Sequence, residues 1–173
     1  MFRIIKKSLA TGIVTGQYPA AKALQEPVSR ETIEKAKPFR RSLTIREVDT
    51  GSCNACEMEM NALANPVYDV ERFGVEIAAS PRHTDALVVT GPVTVNMERP
   101  LKDVYKQTAD PKLVIALGDC AIHCGVFKGS YAVTGPVERH IPVDVRIAGC
   151  PPRPTEILAV LEALRSAATE SEK

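Results

Sequence analysis

A chain of 173 residues with 45% hydrophobic content can bury one core of ordinary size, and its length calls for no second large domain. Aromatic residues make up only 5%, with no Trp, and the net charge is +1, so base stacking and polyanion attraction are both poorly supplied and a nucleic-acid partner is not expected. No apolar run approaches the roughly 20 residues that span a bilayer, and the start lacks the long apolar core of a signal peptide, so the chain is expected in the cytoplasm.

Residues 1–41 read as an N-terminal basic arm, and 42–173 as the body. The first 46 residues carry 10 Lys or Arg against 3 acids, whereas the remainder carries 12 against 18, so the neutral average hides a basic head. Gly12, Gly16, Pro19, Pro27 and Pro38 break this head into an extended segment. One short helix is predicted over Ser29–Lys37, with Ser29 as its cap and Glu31 placed to favour the helix dipole. Phe2, Ile4, Ile5 and Leu9 with Arg3, Lys6 and Lys7 make a basic, apolar tip suited to an acidic membrane face or a partner subunit; a frayed, solvated tail is the competing reading.

From Ser42 the pattern becomes regular. Leu43 to Val48 alternates as a strand, Asp49-Thr-Gly-Ser-Cys53 turns, and a helix is predicted over Glu57–Ala64, closed by Asn65-Pro66. Gly74 to Ala79 is extended, and Asp85 to Thr90 is a short apolar run of the kind buried in a parallel sheet, ending in Gly91-Pro92. A helix over Pro100–Thr108 leads to a buried strand at Lys112–Leu117, which ends in Gly118-Asp119-Cys120. The last strand, Pro142–Ala148, ends in Gly149-Cys150, and Pro154–Ala168 is the strongest helix, with Ile157, Leu158, Leu161 and Leu164 on one face. Strands alternating with helices predict an α/β fold with an open, mostly parallel sheet, whose site lies at the carboxyl ends of the strands.

Cys53, Cys120 and Cys150 each follow a predicted strand at that end, and Cys56 completes a Cys53-Asn-Ala-Cys56 pair. Four thiolates gathered from three loops suit an iron-sulfur cluster, and Gly51, Gly118 and Gly149 let backbone approach an inorganic core. Structural zinc is the competitor, although it usually takes two local knuckles, whereas Cys120 and Cys150 stand far apart in sequence. The five cysteines leave one over. In Cys120-Ala-Ile-His-Cys124 either thiol, or His123, is a candidate; Cys120 is preferred because it directly follows the strand and its glycine, leaving Cys124 as a small buried residue. His83 and His140 read as surface or hydrogen-bonding residues. Glu57 and Glu59 suit a proton route or a partner's arginine, or equally a solvated helix face. Arg153 could hydrogen-bond near the cluster or pair with an acid.

The runs Gly51-Ser-Cys-Asn-Ala-Cys-Glu-Met-Glu59, Ser80-Pro-Arg-His-Thr-Asp85, Thr90-Gly-Pro-Val93, Gly118-Asp-Cys120 and Val143-Asp-Val-Arg-Ile-Ala-Gly-Cys-Pro-Pro-Arg-Pro154 resemble the small, cluster-bearing subunit of membrane-bound, energy-converting nickel-iron hydrogenases. These are relatives of the cluster subunit of respiratory complex I, the NADH-ubiquinone oxidoreductase 20 kDa subunit family. The likeness covers about residues 43 to 165 and omits the arm. In complex I subunits the first two cysteines are adjacent, whereas two residues separate them here, as in the hydrogenase branch. Cys124 departs from relatives with glycine or another small residue there.

The resemblance implies a flavodoxin-like fold with helices on both faces and one 4Fe-4S cluster held by Cys53, Cys56, Cys120 and Cys150. It also implies an electron relay beside the nickel-iron site of a large subunit, fed by a ferredoxin-like iron-sulfur subunit and held with membrane subunits on the cytoplasmic side of the cell membrane. The complex would be an oxidoreductase, a hydrogenase linked to ferredoxin or formate, and this chain would not be active alone. A sulfur- or quinone-reducing complex with a different large subunit is the alternative, and a zinc-stabilised binding domain the distant one.

Overall fold

The computed structural model describes residues 29–170, together with Lys6 and Ala10. Among these residues, five strands form one parallel sheet: β1 (Leu43–Asp49), β2 (Val75–Ile77), β3 (Ala86–Thr90), β5 (Leu113–Leu117) and β7 (Val145–Ile147), in the order β2-β1-β3-β5-β7. Counting only these strands, that is the flavodoxin-like order, in which the chain runs first to one side of β1 and then to the other. β3 and β5 are buried at every residue, which is why Ala86–Val89 and Leu113–Leu117 are apolar runs instead of alternating ones, with buried Thr90 closing β3. A separate antiparallel pair, β4 (Val93–Thr94) with β6 (Val133–Gly135), lies beside the carboxyl end of the sheet.

Helices cover both faces. On one, Leu43, Ile45, Val88, Leu113, Ile115 and Leu117 pack with Met60 and Leu63 of α2 (Ala55–Leu63) and with Ile157, Leu161 and Leu164 of α5 (Pro154–Glu170). On the other, Leu87, Val89, Val114 and Ala116 meet Leu101 of α3 (Glu98–Gln107), Ala121 of α4 (Asp119–His123), Val137 and Ile141. The period-2 alternation of Val114, Ile115 and Ala116 between these layers follows from strand pleat. Ile115 is fully buried on an interior strand of the sheet, so Ile115→Ala is expected to lower unfolding free energy by about 2–5 kcal/mol in a denaturant titration.

The helix predicted at the end of the arm forms as α1 (Arg30–Ala36), capped by the Ser29 hydroxyl, which accepts the Thr32 N–H at 3.1 Å. It lies on the body of the fold: Ala36 is buried in the layer containing α5, and Lys35 Nζ donates to Asp144 Oδ1 at 2.8 Å. Asp144 Oδ2 in turn accepts the Val114 N–H at 2.9 Å, so one carboxylate joins α1 to the start of β5. The basic, apolar tip lies outside the described residues, apart from exposed Lys6.

The other predicted elements form with shifted ends. α3 begins at Glu98, with Pro100 inside its first turn where no backbone donor is needed. β7 spans three residues instead of the seven predicted, and Asp144 just before it bonds Val114 through both its backbone N–H and its side chain. The β4–β6 pair was not anticipated.

Candidate metal centre

The CxxC turn is built by short side chains that satisfy backbone donors. Asp49 Oδ1 accepts the Gly51 and Ser52 N–H groups at 2.7 and 2.8 Å, folding the chain back as it leaves β1. The Ser52 hydroxyl accepts the Asn54 N–H at 2.9 Å and donates to Glu57 Oε1 at 2.6 Å. Asn54 takes a left-handed conformation, φ 69°, and opens α2, so Cys53 stays exposed in the turn while Cys56 enters the first helical turn, 8% exposed.

Cys120 and Cys150 come from the ends of β5 and β7. Gly118 N–H donates to the Ile147 carbonyl at 2.7 Å, continuing the ladder one residue past β5. Asp119 then bonds Gly149 twice: its N–H donates to the Gly149 carbonyl at 2.9 Å, and its Oδ1 accepts the Gly149 N–H at 2.8 Å. The two loops leave the sheet as one tied unit, with Cys120 buried at 7% exposure and Cys150 exposed.

The charges acting on each thiol differ. Burial pushes the Cys56 thiol up to about 12, reinforced by the negative charges of Glu57, Cys120, Cys53 and Cys150. Burial raises Cys120 too, with Cys150 and Cys53 adding to it and a backbone hydrogen bond opposing. Three loops therefore bring four thiols into one another's field. Cys124 is raised by burial, but its charged neighbours are Lys128 and Arg139, and no cysteine acts on it. The reason is conformational: α4 ends at His123, and Cys124 turns left-handed at φ 69°, so Cys120 and Cys124 do not stack one above the other on a continuing helix. Its N–H still closes the helix on the Cys120 carbonyl at 2.9 Å.

The space beside the thiols is kept by two glycines. A Cβ at Gly118 would stand 2.6 Å from Cys56 Sγ, and one at Gly125 would stand 2.8 Å from Cys120 Sγ. Gly51 and Gly149, which the sequence reading placed with Gly118, serve differently: their approaches are to the Thr94 side chain and to Pro152. Gly125 escaped that reading, although the Cys124-Gly125 step was its available signal.

The donor set and its lining fit an iron-sulfur group. Four soft sulfurs converge, the charges acting on Cys56 are all negative, and no cation appears among the groups acting on Cys120, so metal charge is what would hold four thiolates together. Among the described residues, no group of three or more His, Cys, Asp or Glu side chains is placed to hold a metal ion.

Residues 53–164 match the family described as NADH ubiquinone oxidoreductase, 20 Kd subunit. The chain belongs to this family. Among its relatives is the probable membrane-bound hydrogenase subunit mbhJ of Pyrococcus furiosus, 50% identical over 134 residues, 75% of this chain and 80% of that protein. Formate hydrogenlyase subunit 7 of Escherichia coli is 39% identical over 140 residues, 81% of this chain and 55% of that protein. Among solved structures, the membrane-bound sulfane sulfur reductase, an archaeal respiratory membrane complex, contains a chain that superposes with a TM-score of 0.64 at 33% identity, covering 78% of this chain and 76% of its own. As a 20 kDa-family chain, this one is a subunit of an oxidoreductase complex. No helix among its described residues is long and apolar enough to cross a membrane.

The remaining candidates of this family member fall into place around the thiols. Glu57 is not on a solvated face: it is 7% exposed, held by Ser52, and its Oε2 is buried with no hydrogen-bond partner. Glu59 is half-buried and Arg153 exposed. His123 is exposed, its Nδ1 accepting the Gly125 N–H at 3.2 Å, and His83 is exposed. His140 is a hydrogen-bonding residue, with Nε2 3.1 Å from Thr134 Oγ1 and Nδ1 3.6 Å from Glu98 Oε1, and burial lowers its pKa.

Proposed function

We propose that this chain is the electron-transfer subunit of a membrane-bound nickel-iron hydrogenase complex, holding one 4Fe-4S cluster on Cys53, Cys56, Cys120 and Cys150. What supports the reading is that Cys56 and Cys120, in different loops at the carboxyl edge of the sheet, each feel the charges of Cys53 and Cys150, whereas the charges acting on Cys124 are those of Lys128 and Arg139. When bound, such a cluster passes one electron at a time with little change in bonding. The chain's own residues hold and shield that centre: Cys56 and Cys120 from inside the fold, Cys53 and Cys150 from its exposed rim, with Gly118 and Gly125 leaving room.

The exposed rim needs a cover. Cys53 and Cys150 are open to solvent, and Met58, next but one to Cys56, is 66% exposed. The large subunit that carries the nickel-iron site is the cover we assign, with a ferredoxin-like iron-sulfur subunit supplying or taking electrons and membrane subunits keeping the assembly on the cytoplasmic face, where this chain sits peripherally. Isolated, it has no hydrogenase activity.

Anaerobically purified chain is expected to be brown, with a broad absorbance near about 400 nm and about four irons. Colourless protein holding about one zinc would overturn the cluster in favour of a structural metal site. The likeness to the sulfane sulfur reductase chain supports a second reading, in which the same relay serves a sulfur- or quinone-reducing large subunit. A co-purifying large subunit with two CxxC pairs for nickel decides for hydrogenase; one without them decides for the second reading.

A further inference from the structure

Asp119 ties together the two cysteine loops that follow β5 and β7. Its Oδ1 accepts the Gly149 N–H at 2.8 Å while its own N–H donates to the Gly149 carbonyl at 2.9 Å. Gly149 directly precedes Cys150, and Asp119 directly precedes Cys120. Two hydrogen bonds therefore set the separation of two proposed ligands from positions adjacent to each.

The carboxylate does two further things that a plain loop tie would not. First, it occupies the Gly149 amide. Amide donors aimed at cluster sulfurs stabilise the more negative, reduced state and raise the potential, so an amide taken by Asp119 is removed from that role. Second, it places a fixed negative charge beside Cys120, on which it acts through space. Reduction adds an electron, and a neighbouring anion opposes that addition. Both effects have the same sign.

We propose that Asp119 is a positioning residue that keeps the cluster's reduction potential low while holding the Cys120 and Cys150 loops in register. The inference rests on the cluster reading above. A neutral acceptor at the same place separates its two parts. Asparagine can still accept the Gly149 N–H, but it carries no charge; alanine removes both.

The test uses the whole complex, purified anaerobically, with iron analysis and a potentiometric titration followed by electron paramagnetic resonance. Asp119→Asn is expected to keep the wild-type iron content and to raise the reduced-to-oxidised ratio at a fixed potential about tenfold, a midpoint shift of about 59 mV for one electron. Asp119→Ala is expected to raise the potential and also to lose iron. Two results overturn the inference: Asp119→Asn with full iron and an unshifted midpoint, or Asp119→Asn losing iron as alanine does, either of which leaves the carboxylate a loop tie only. A wild-type complex with no iron-sulfur resonance would instead sink the cluster reading, and this inference with it.

Discussion

Cys120→Ser is expected to strip the cluster or convert it to a form with less iron, whereas Cys124→Ser keeps the iron content and visible spectrum of the wild type. The two thiols sit four residues apart in a single loop, and composition alone treats them alike. What separates them is the end of α4. Cys120 lies inside the helix, buried, within the fields of Cys53, Cys56 and Cys150. Cys124 lies one residue beyond, in a left-handed conformation, beside Lys128 and Arg139. A serine hydroxyl at Cys120 is a harder, far less acidic ligand and offers iron a poor fourth bond. At Cys124 the same change swaps one small buried group for another, with an expected effect on stability of about 1–3 kcal/mol from burying the hydroxyl. Iron analysis and absorbance on the two purified variants read this directly; an unchanged Cys120→Ser spectrum would move the ligand assignment to Cys124.

The same loop shows what the sequence could and could not disclose. β3 and β5 were legible because a strand buried on both faces reads as a near-continuous apolar run, as Ala86–Val89 and Leu113–Leu117 do. α5 was legible because its Ile157, Leu161 and Leu164 repeat at helical spacing. β4 and β6 were not, since two- and three-residue strands carry no period to read, and their pairing is set by turns that close elsewhere. At the site, residue type disclosed the thiols, and the strand-then-glycine pattern picked Cys120 over Cys124. The packing partners of each glycine were hidden, because Gly51, Gly118 and Gly149 look alike in sequence and meet different neighbours in space. The role of Glu57 was hidden for a related reason: its burial depends on the Ser52 turn that folds over it, and neither residue announces the other.

Gly118→Ala is expected to lose most of the bound iron while leaving the domain folded, and Gly129→Ala to lose none. Both glycines have positive φ, +87° and +86°, and Gly118 also has ψ 158°, a region open essentially to glycine alone, so Gly118→Ala carries backbone strain of about 1–3 kcal/mol besides any crowding. They differ in what the new methyl meets. At Gly129 nothing lies within 4 Å, whereas at Gly118 the methyl would stand 2.6 Å from Cys56 Sγ. That sulfur has little freedom to retreat, since Cys56 is fixed in the first turn of α2 by the turn at Asn54 and is buried against the core that includes Met60 and Leu63. Displacing it pulls the thiolate away from the position at which it would meet the metal, and ligand distances in metal sites fall within about 0.2 Å of their usual values. Gly129→Ala thus controls for a positive-φ substitution without crowding, and the thermal transition of Gly118→Ala reads its added backbone strain separately from its iron content. Iron content should fall in Gly118→Ala alone, with both variants retaining a cooperative thermal transition; full iron in Gly118→Ala would mean that Cys56 is not a ligand held against that glycine.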